Sequence, residues 1–273
     1  MQPSRWGSKV YRVEHARLNP GPRYALLHLP THYGGTEPSP LIVALHGKAQ
    51  PAAEFEEHTQ LSKPEVQDEA IVVYPEGIKL QWLGDPEAPS QEDINDIGFI
   101  GILIDQLGRD YAIDKHRVYV TGFSNGGGLA DLLAGDHALS GRIAAFAIAS
   151  GALYTDSALK EPLFSHPNPD HIPSTPDGVT FSLPDFFEIW ARRNNCDPRP
   201  NSTELYGGKV TRYAWLSSDQ EATSREVLIH YRIGGFGHGW PTTRPLNNDD
   251  QRHGPTYFDA TPVVMDWFRM WKI

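Results

Sequence analysis

Hydrophobic and polar positions along the chain follow two alternating periods, and the elements they predict alternate with them. Arg23–Leu29 and Leu41–Leu45 read as strands, the second (Leu-Ile-Val-Ala-Leu) a continuous apolar run of the kind found in a sheet covered on both faces. Ile71–Tyr74 (Ile-Val-Val-Tyr) repeats that pattern. Between Asp93 and Tyr111 apolar residues return at Ile94, Ile97, Ile100, Leu103, Ile104 and Leu107, one face of a long helix with Asp93 placed to cap it. Arg117–Thr121 is then a short β-branched strand, Asn125–Ala134 a helix and Ala144–Ser150 a further buried strand. From Tyr154 to Leu183 the periodicity fails among prolines and loop-forming residues, which predicts an irregular excursion over one end of the sheet. Beyond it, Pro184–Asn194 reads as helix, and Thr211–Leu216 and Arg225–Ile233 as strands. Thr261-Pro262 reads as the cap and first position of a final helix, with Val264, Trp267, Phe268 and Trp271 as its packing stripe.

Strands alternating with helices predict an α/β fold: a mostly parallel central sheet, right-handed crossovers, helices on both faces, and ligands at the carboxyl ends of the strands. No internal repeat or low-complexity linker interrupts the pattern, so residues 1–273 are expected to form one domain.

Composition narrows the class of function. The 24 Lys and Arg against 34 Asp and Glu leave a formal net charge of −10, the wrong sign for tracking phosphates, so a nucleic-acid partner is not expected. The longest apolar stretch, Ile97–Ile104, is far too short to cross a bilayer, so no membrane partner is expected. Met1-Gln-Pro-Ser-Arg-Trp lacks the apolar region of a secretory signal, and the lone Cys196 can form no internal disulfide, so the chain as written reads as intracellular. Asn201-Ser202-Thr203 fits an N-glycosylation acceptor, a pattern common by chance.

The most informative residues are Gly122-Phe123-Ser124-Asn125-Gly126, a Gly-x-Ser-x-Gly pattern between a predicted strand and a predicted helix, which is the setting of a nucleophile elbow. So tight a turn strains the serine backbone and presents its hydroxyl, and it leaves no room for a Cβ at either glycine. A serine hydroxyl needs a base oriented by a carboxylate, in the chain order Ser, acid, His. His238 lies in the glycine-rich Gly234-Gly-Phe-Gly-His-Gly-Trp-Pro241 loop just past a predicted strand and is the expected base, whereas His230 falls inside the strand and reads as structural. Asp156, Asp170, Asp177 and Asp197 are the loop candidates for the acid, with Asp170 ranked first and Asp177 second. The oxyanion donors are expected to be the backbone N–H groups of Asn125, after the nucleophile, and of Lys48, where Leu45-His-Gly-Lys48 closes an early central strand. No clustered His or Cys pattern suggests a metal, and no Gly-x-Gly-x-x-Gly follows the first strand, so neither a metal nor an organic cofactor is expected.

Taken together, Val72-Val-Tyr-Pro-Glu-Gly77, Trp82-Leu-Gly-Asp-Pro86, Asp96, the run from Tyr111 through Gly128, Arg142-Ile-Ala-Ala-Phe146, Trp190-Ala-Arg-Arg-Asn-Asn-Cys196 and Gly237-His-Gly-Trp-Pro241 resemble the type C feruloyl esterases. These are family-one carbohydrate esterases related to polyhydroxybutyrate depolymerases, and the likeness runs from about Arg23 to the C-terminus. The resemblance implies a three-layer α/β-hydrolase without cofactor that cleaves hydroxycinnamate esters on plant cell-wall polysaccharide. It implies Ser124 as nucleophile, His238 as base and, from His166-Pro-Asn-Pro-Asp170, Asp170 as acid, with Pro167 standing where the family has glycine. Cysteines common in secreted relatives are replaced here by Ala112 and Gly135. Trp82 and Trp240 are expected to stack on an aromatic acyl group. The expected partner is a small or polysaccharide-linked ester and the expected state a monomer. An esterase for acetyl or short hydroxyacyl groups, a hydrolase fold that only binds its ligand, and a structural interaction protein are the alternative readings.

Overall fold

The structure, a computed structural model, describes residues 4–83, 88, 93–152, 182–218, 225–243 and 257–273. The described residues fall into two compact units.

The first unit draws its described residues from Met1–Val179, Gly239–Pro241 and Asp259–Ile273. Its sheet contains β1 (Lys9–Val13), β2 (Arg23–His28), β3 (Ser39–Leu45), β4 (Ile71–Pro75), β5 (Ile113–Phe123) and β6 (Ala145–Ala149), in the order β1-β2-β4-β3-β5-β6. The four strands from β4 to β6 run parallel, and β2 and β1 are added antiparallel at one side. The continuous apolar run explains the layering. Leu41, Val43 and Leu45 of β3 enter one buried cluster and Ile42 and Ala44 the other, because successive strand side chains point to opposite faces. On the first face lie α2 (Asp96–Asp110) and α3 (Asn125–Gly135), through Phe99, Ile100, Leu103, Leu129 and Leu133. The second is covered by α1 (Ala52–Thr59) and the C-terminal helix Ala260–Arg269, through Phe55, Met265 and Phe268. Each fully buried residue of this size contributes roughly 1.5–3 kcal/mol relative to exposure. A short helix, α4 (His137–Ser140), follows α3.

Two helix starts differ from expectation. The cap of α2 is Asn95, whose side chain accepts from the Gly98 N–H at 2.7 Å, rather than Asp93. The final helix begins at Ala260, so Thr261 lies inside it and spends its hydroxyl on tertiary bonds, accepting from Trp240 Nε1 at 3.0 Å and donating to the Thr59 carbonyl.

The second unit takes its described residues from Thr180–His238 and Thr242–Phe258. Helix α5 (Leu183–Arg193), capped by the Ser182 hydroxyl, is joined by an antiparallel sheet of β7 (Asn201–Leu205), β8 (Val210–Leu216) and β9 (Glu226–Ile233). The parallel pattern expected from alternation therefore does not extend to these strands. Strand β7 escaped the periodicity because Asn-Ser-Thr-Glu-Leu is polar and exposed almost throughout. Ala191, Cys196 and Trp215 form the unit's small core with Phe187 against them. His230, expected as structural, packs its ring on Phe187 at 4.4 Å and Tyr213 at 5.8 Å, and burial lowers its pKa to about 4.

Candidate active site

Strand β5 and helix α3 meet at Ser124, whose backbone takes φ 53° and ψ −120°. A side chain at positive φ is strained by about 1–3 kcal/mol, and the surroundings must hold it there. Here the Ser124 N–H donates to the Ala149 carbonyl at 3.1 Å, and its own carbonyl accepts from Gly128 at 3.0 Å and Ala152 at 2.8 Å. The flanking glycines are required by close approach. A Cβ on Gly122 would meet the Gly126 carbonyl oxygen at 2.3 Å, and one on Gly126 would meet the carbonyl oxygens of Leu45 and His46 at 2.2 and 2.4 Å. The elbow is thus pressed directly onto the end of β3.

That contact sets the turn after β3 beside the elbow. Gly47 stands so near the serine that a Cβ on it would lie 2.9 Å from the Phe123 ring and 3.4 Å from the Ser124 Cβ. Gly47, the residue before Lys48, therefore lies against Ser124, the residue before Asn125. Asn125 also opens α3, where unpaired N–H groups and the helix dipole favour developing negative charge.

The Asn125 side chain does something the motif alone did not suggest. Its Oδ1 accepts from the Trp82 N–H at 2.7 Å and its Nδ2 donates to the Trp82 carbonyl at 3.0 Å, clamping one residue of a neighbouring loop at both backbone groups. Trp82 in turn donates from Nε1 to the His46 carbonyl at 2.9 Å. The next residue, Leu83, donates its N–H to Asp96 Oδ2 at 2.7 Å, while Asp96 Oδ1 accepts from the Arg23 guanidinium at 2.6 Å. Arg23 and Asp96 are both buried, and the guanidinium lies 3.8 Å from the Phe99 ring centroid and 5.5 Å from that of Trp82. Burial is the largest influence on Asp96 and raises its carboxyl pKa, which the Arg23 charge opposes. Motif reasoning missed this network because its members lie on β2, α2 and a loop far from Ser124 in sequence.

The expectation for the two tryptophans needs correction. Trp82 is 0% exposed and Trp240 only 3% exposed, so neither offers a ring face to a substrate. Trp240 packs edge-on against Phe55 at 5.8 Å and bonds Thr261, which makes it a core residue. His238 is exposed in the loop after β9 and belongs to the second unit. The next residues in the chain, Gly239–Pro241, belong to the first unit, where the Gly239 carbonyl accepts from the Ser150 hydroxyl at 3.4 Å. Asp156, Asp170 and Asp177 lie outside the described residues. Asp197 does not: its carboxylate accepts from the Arg199 N–H at 2.8 Å, the turn-capping role usual for a loop aspartate. Among the described residues no three His, Cys, Asp or Glu side chains gather as a metal site would require, and no helix is long and apolar enough to cross a membrane.

A strained serine between strand and helix, on a mixed sheet covered on both faces, is the arrangement of the α/β-hydrolase fold. The acetyl xylan esterase of Aspergillus awamori has the same fold, with a TM-score of 0.58 at 14% identity over 96% of this chain and 99% of that one. The profile of the family described as esterase PHB depolymerase matches residues 23–160, just over half of the chain, and the chain belongs to that family. Among curated relatives, the bifunctional acetylxylan esterase/xylanase XynS20E of Neocallimastix patriciarum is 27% identical over 73% of this chain and 29% of its own length. Feruloyl esterase B of Piromyces equi is 26% identical over 40% of this chain and 20% of its own. The chain spans under a third of the length of the curated relatives it matches.

Proposed function

We propose that the protein is a serine carboxylic-ester hydrolase acting on acyl esters of plant cell-wall xylan, with ferulic or another hydroxycinnamic acid as the acyl group. The observation that carries the reading is Ser124 at φ 53° and ψ −120°, with Gly47 held against it. In this mechanism Ser124 Oγ attacks the ester carbonyl as His238 takes its proton, and the tetrahedral oxyanion is held by the N–H groups of Asn125 and Lys48. Collapse expels the sugar alcohol, protonated by His238, and leaves an acyl-enzyme. Water activated by the same histidine then releases the acid. Asp170 holds the imidazole in its working tautomer, with Asp177 as the alternative acid.

A second reading, an acetyl or short hydroxyacyl esterase, is favoured by a specific observation: Trp82 and Trp240 are buried, which removes the aromatic surfaces that pointed to a hydroxycinnamoyl group. The relative XynS20E, aligned over 73% of this chain, bears an acetylxylan esterase name, which supports the same reading.

Hydrolysis of methyl ferulate beside 4-nitrophenyl acetate, by the wild type and Ser124→Ala, tests both. Ser124-dependent release of ferulic acid is the expected result. Release of acetate alone transfers the assignment to short acyl groups. No release of either product, with no labelling of Ser124 by a fluorophosphonate, rejects the enzymatic reading in favour of a ligand-binding hydrolase fold.

A further inference from the structure

One buried histidine close to the elbow has no part in the mechanism above. His46 is 0% exposed and sits between the end of β3 and the loop after β4. Its Nε2 lies 2.9 Å from the Gly77 backbone nitrogen and its Nδ1 lies 2.7 Å from the Gly47 carbonyl oxygen. These partners leave a single proton arrangement. A backbone N–H can only donate, so Nε2 is the unprotonated nitrogen; a carbonyl can only accept, so Nδ1 carries the hydrogen.

The Gly47 carbonyl belongs to the same planar unit as the Lys48 N–H. In a trans peptide the two point to opposite sides, so pulling the oxygen toward His46 turns the N–H away from it. The same oxygen also accepts from the Gln50 N–H at 3.2 Å, so His46 supplies the shorter of two bonds on it. The remaining contacts of the segment leave that peptide little other freedom. The Gly47 N–H donates to Gln50 Oε1 at 3.0 Å, the His46 carbonyl accepts from Trp82, and Gly126 presses on the carbonyls of Leu45 and His46. The His46 ring packs on Trp82 at 4.8 Å, the residue that the Asn125 side chain holds.

We propose that His46 is a positioning residue for ester hydrolysis: as the neutral Nδ1–H tautomer it braces Gly47 against Gly77 and so aims the Lys48 N–H at the oxyanion formed on Ser124. This rests on the hydrolase reading above and adds to it a residue that never touches substrate. Such a residue acts on the transition state and hardly at all on ground-state binding, so its removal lowers kcat and leaves KM nearly unchanged.

The test uses His46→Phe, which keeps a ring without either nitrogen, and two amide variants. In His46→Asn the side-chain N–H falls near the Nδ1 position and can still donate to the Gly47 carbonyl; in His46→Gln it is displaced toward the Nε2 position. With 4-nitrophenyl acetate, His46→Phe is expected to lose roughly 10²-fold or more in kcat, the scale of one oxyanion donor, with KM within about threefold of wild type. His46→Asn is expected to recover at least tenfold of that loss and His46→Gln not. If His46→Phe does not fold, the two amide variants decide alone: kcat in His46→Asn exceeding that in His46→Gln by tenfold supports the role, and equal values overturn it. A folded His46→Phe with kcat within threefold of wild type, or a loss expressed wholly in KM, also overturns it. Wild type without Ser124-dependent hydrolysis overturns the hydrolase reading and this inference together, whereas an active wild type with an insensitive His46 overturns the inference alone.

Discussion

Replacing Gly126 by alanine adds one methyl group at the point where the elbow rests on the sheet. That methyl would stand 2.2 Å from the Leu45 carbonyl oxygen and 2.4 Å from that of His46. Both are backbone atoms of a core strand and its following turn, so no side chain can swing aside. Relief requires the start of α3 and the end of β3 to part by about 1 Å, and overpacking of this kind costs roughly 1–3 kcal/mol. The helix preference of alanine over glycine returns at most about 1 kcal/mol. The net expectation is a loss of about 1–2 kcal/mol, read as a lower urea midpoint at unchanged slope. Activity should fall further, because a displacement of about 1 Å at a catalytic group can cost on the order of 10²-fold in rate. Gly108, inside α2, provides the control. A Cβ there meets nothing closer than Lys115 Cε at 4.0 Å, so Gly108→Ala is expected to gain about 0.4–1 kcal/mol with activity intact. The reasoning is refuted if Gly126→Ala unfolds at the wild-type urea concentration and hydrolyses 4-nitrophenyl acetate within twofold of wild type.

Two further outcomes follow from the buried groups. Asp96→Asn keeps an acceptor for the Leu83 N–H but leaves Arg23 as an unpaired buried charge, which should cost about 3–5 kcal/mol in urea unfolding; Arg23→Met with Asp96→Asn together should be milder than Asp96→Asn alone. Burial, with Arg23 nearby, lowers the His46 pKa from 6.5 to about 4, so between those values the unfolded chain binds the proton and the folded chain does not. Stability is therefore fully present above pH 6.5 and lost as pH falls toward about 4, with about 3 kcal/mol of that loss due to His46. Urea melts at pH 7 and pH 4.5 should show a smaller drop in His46→Asn than in wild type, and an equal drop would remove His46 as the cause.

Much of this protein is determined by local pattern. The run Leu41–Leu45 dictates a strand buried on both faces whatever lies around it, because its five apolar side chains alternate between the two sides and none tolerates water. Gly122-Phe-Ser-Asn-Gly126 dictates the elbow, because only glycine fits where carbonyl oxygens come within 2.4 Å of a Cβ position. The helix Asp96–Asp110 is likewise written in its own spacing.

Tertiary structure decided what each residue is for. Asn125 was legible as a backbone donor, but its side chain proves to be a clamp on Trp82, a residue that only the fold brings near. Trp82 and Trp240 carry no local sign of whether a ring faces substrate or core, and burial settled them as core. Nothing local to His46 ties its ring to Gly77, 31 positions away, whose N–H donates to it. Strand β7 shows the converse, a polar segment held in a sheet by pairing with β8 against its own pattern. Periodicity encodes which face of an element is buried, because that depends on the element alone. A hydrogen-bond partner depends on which other elements arrive beside it, and that information resides in the packing of the whole unit.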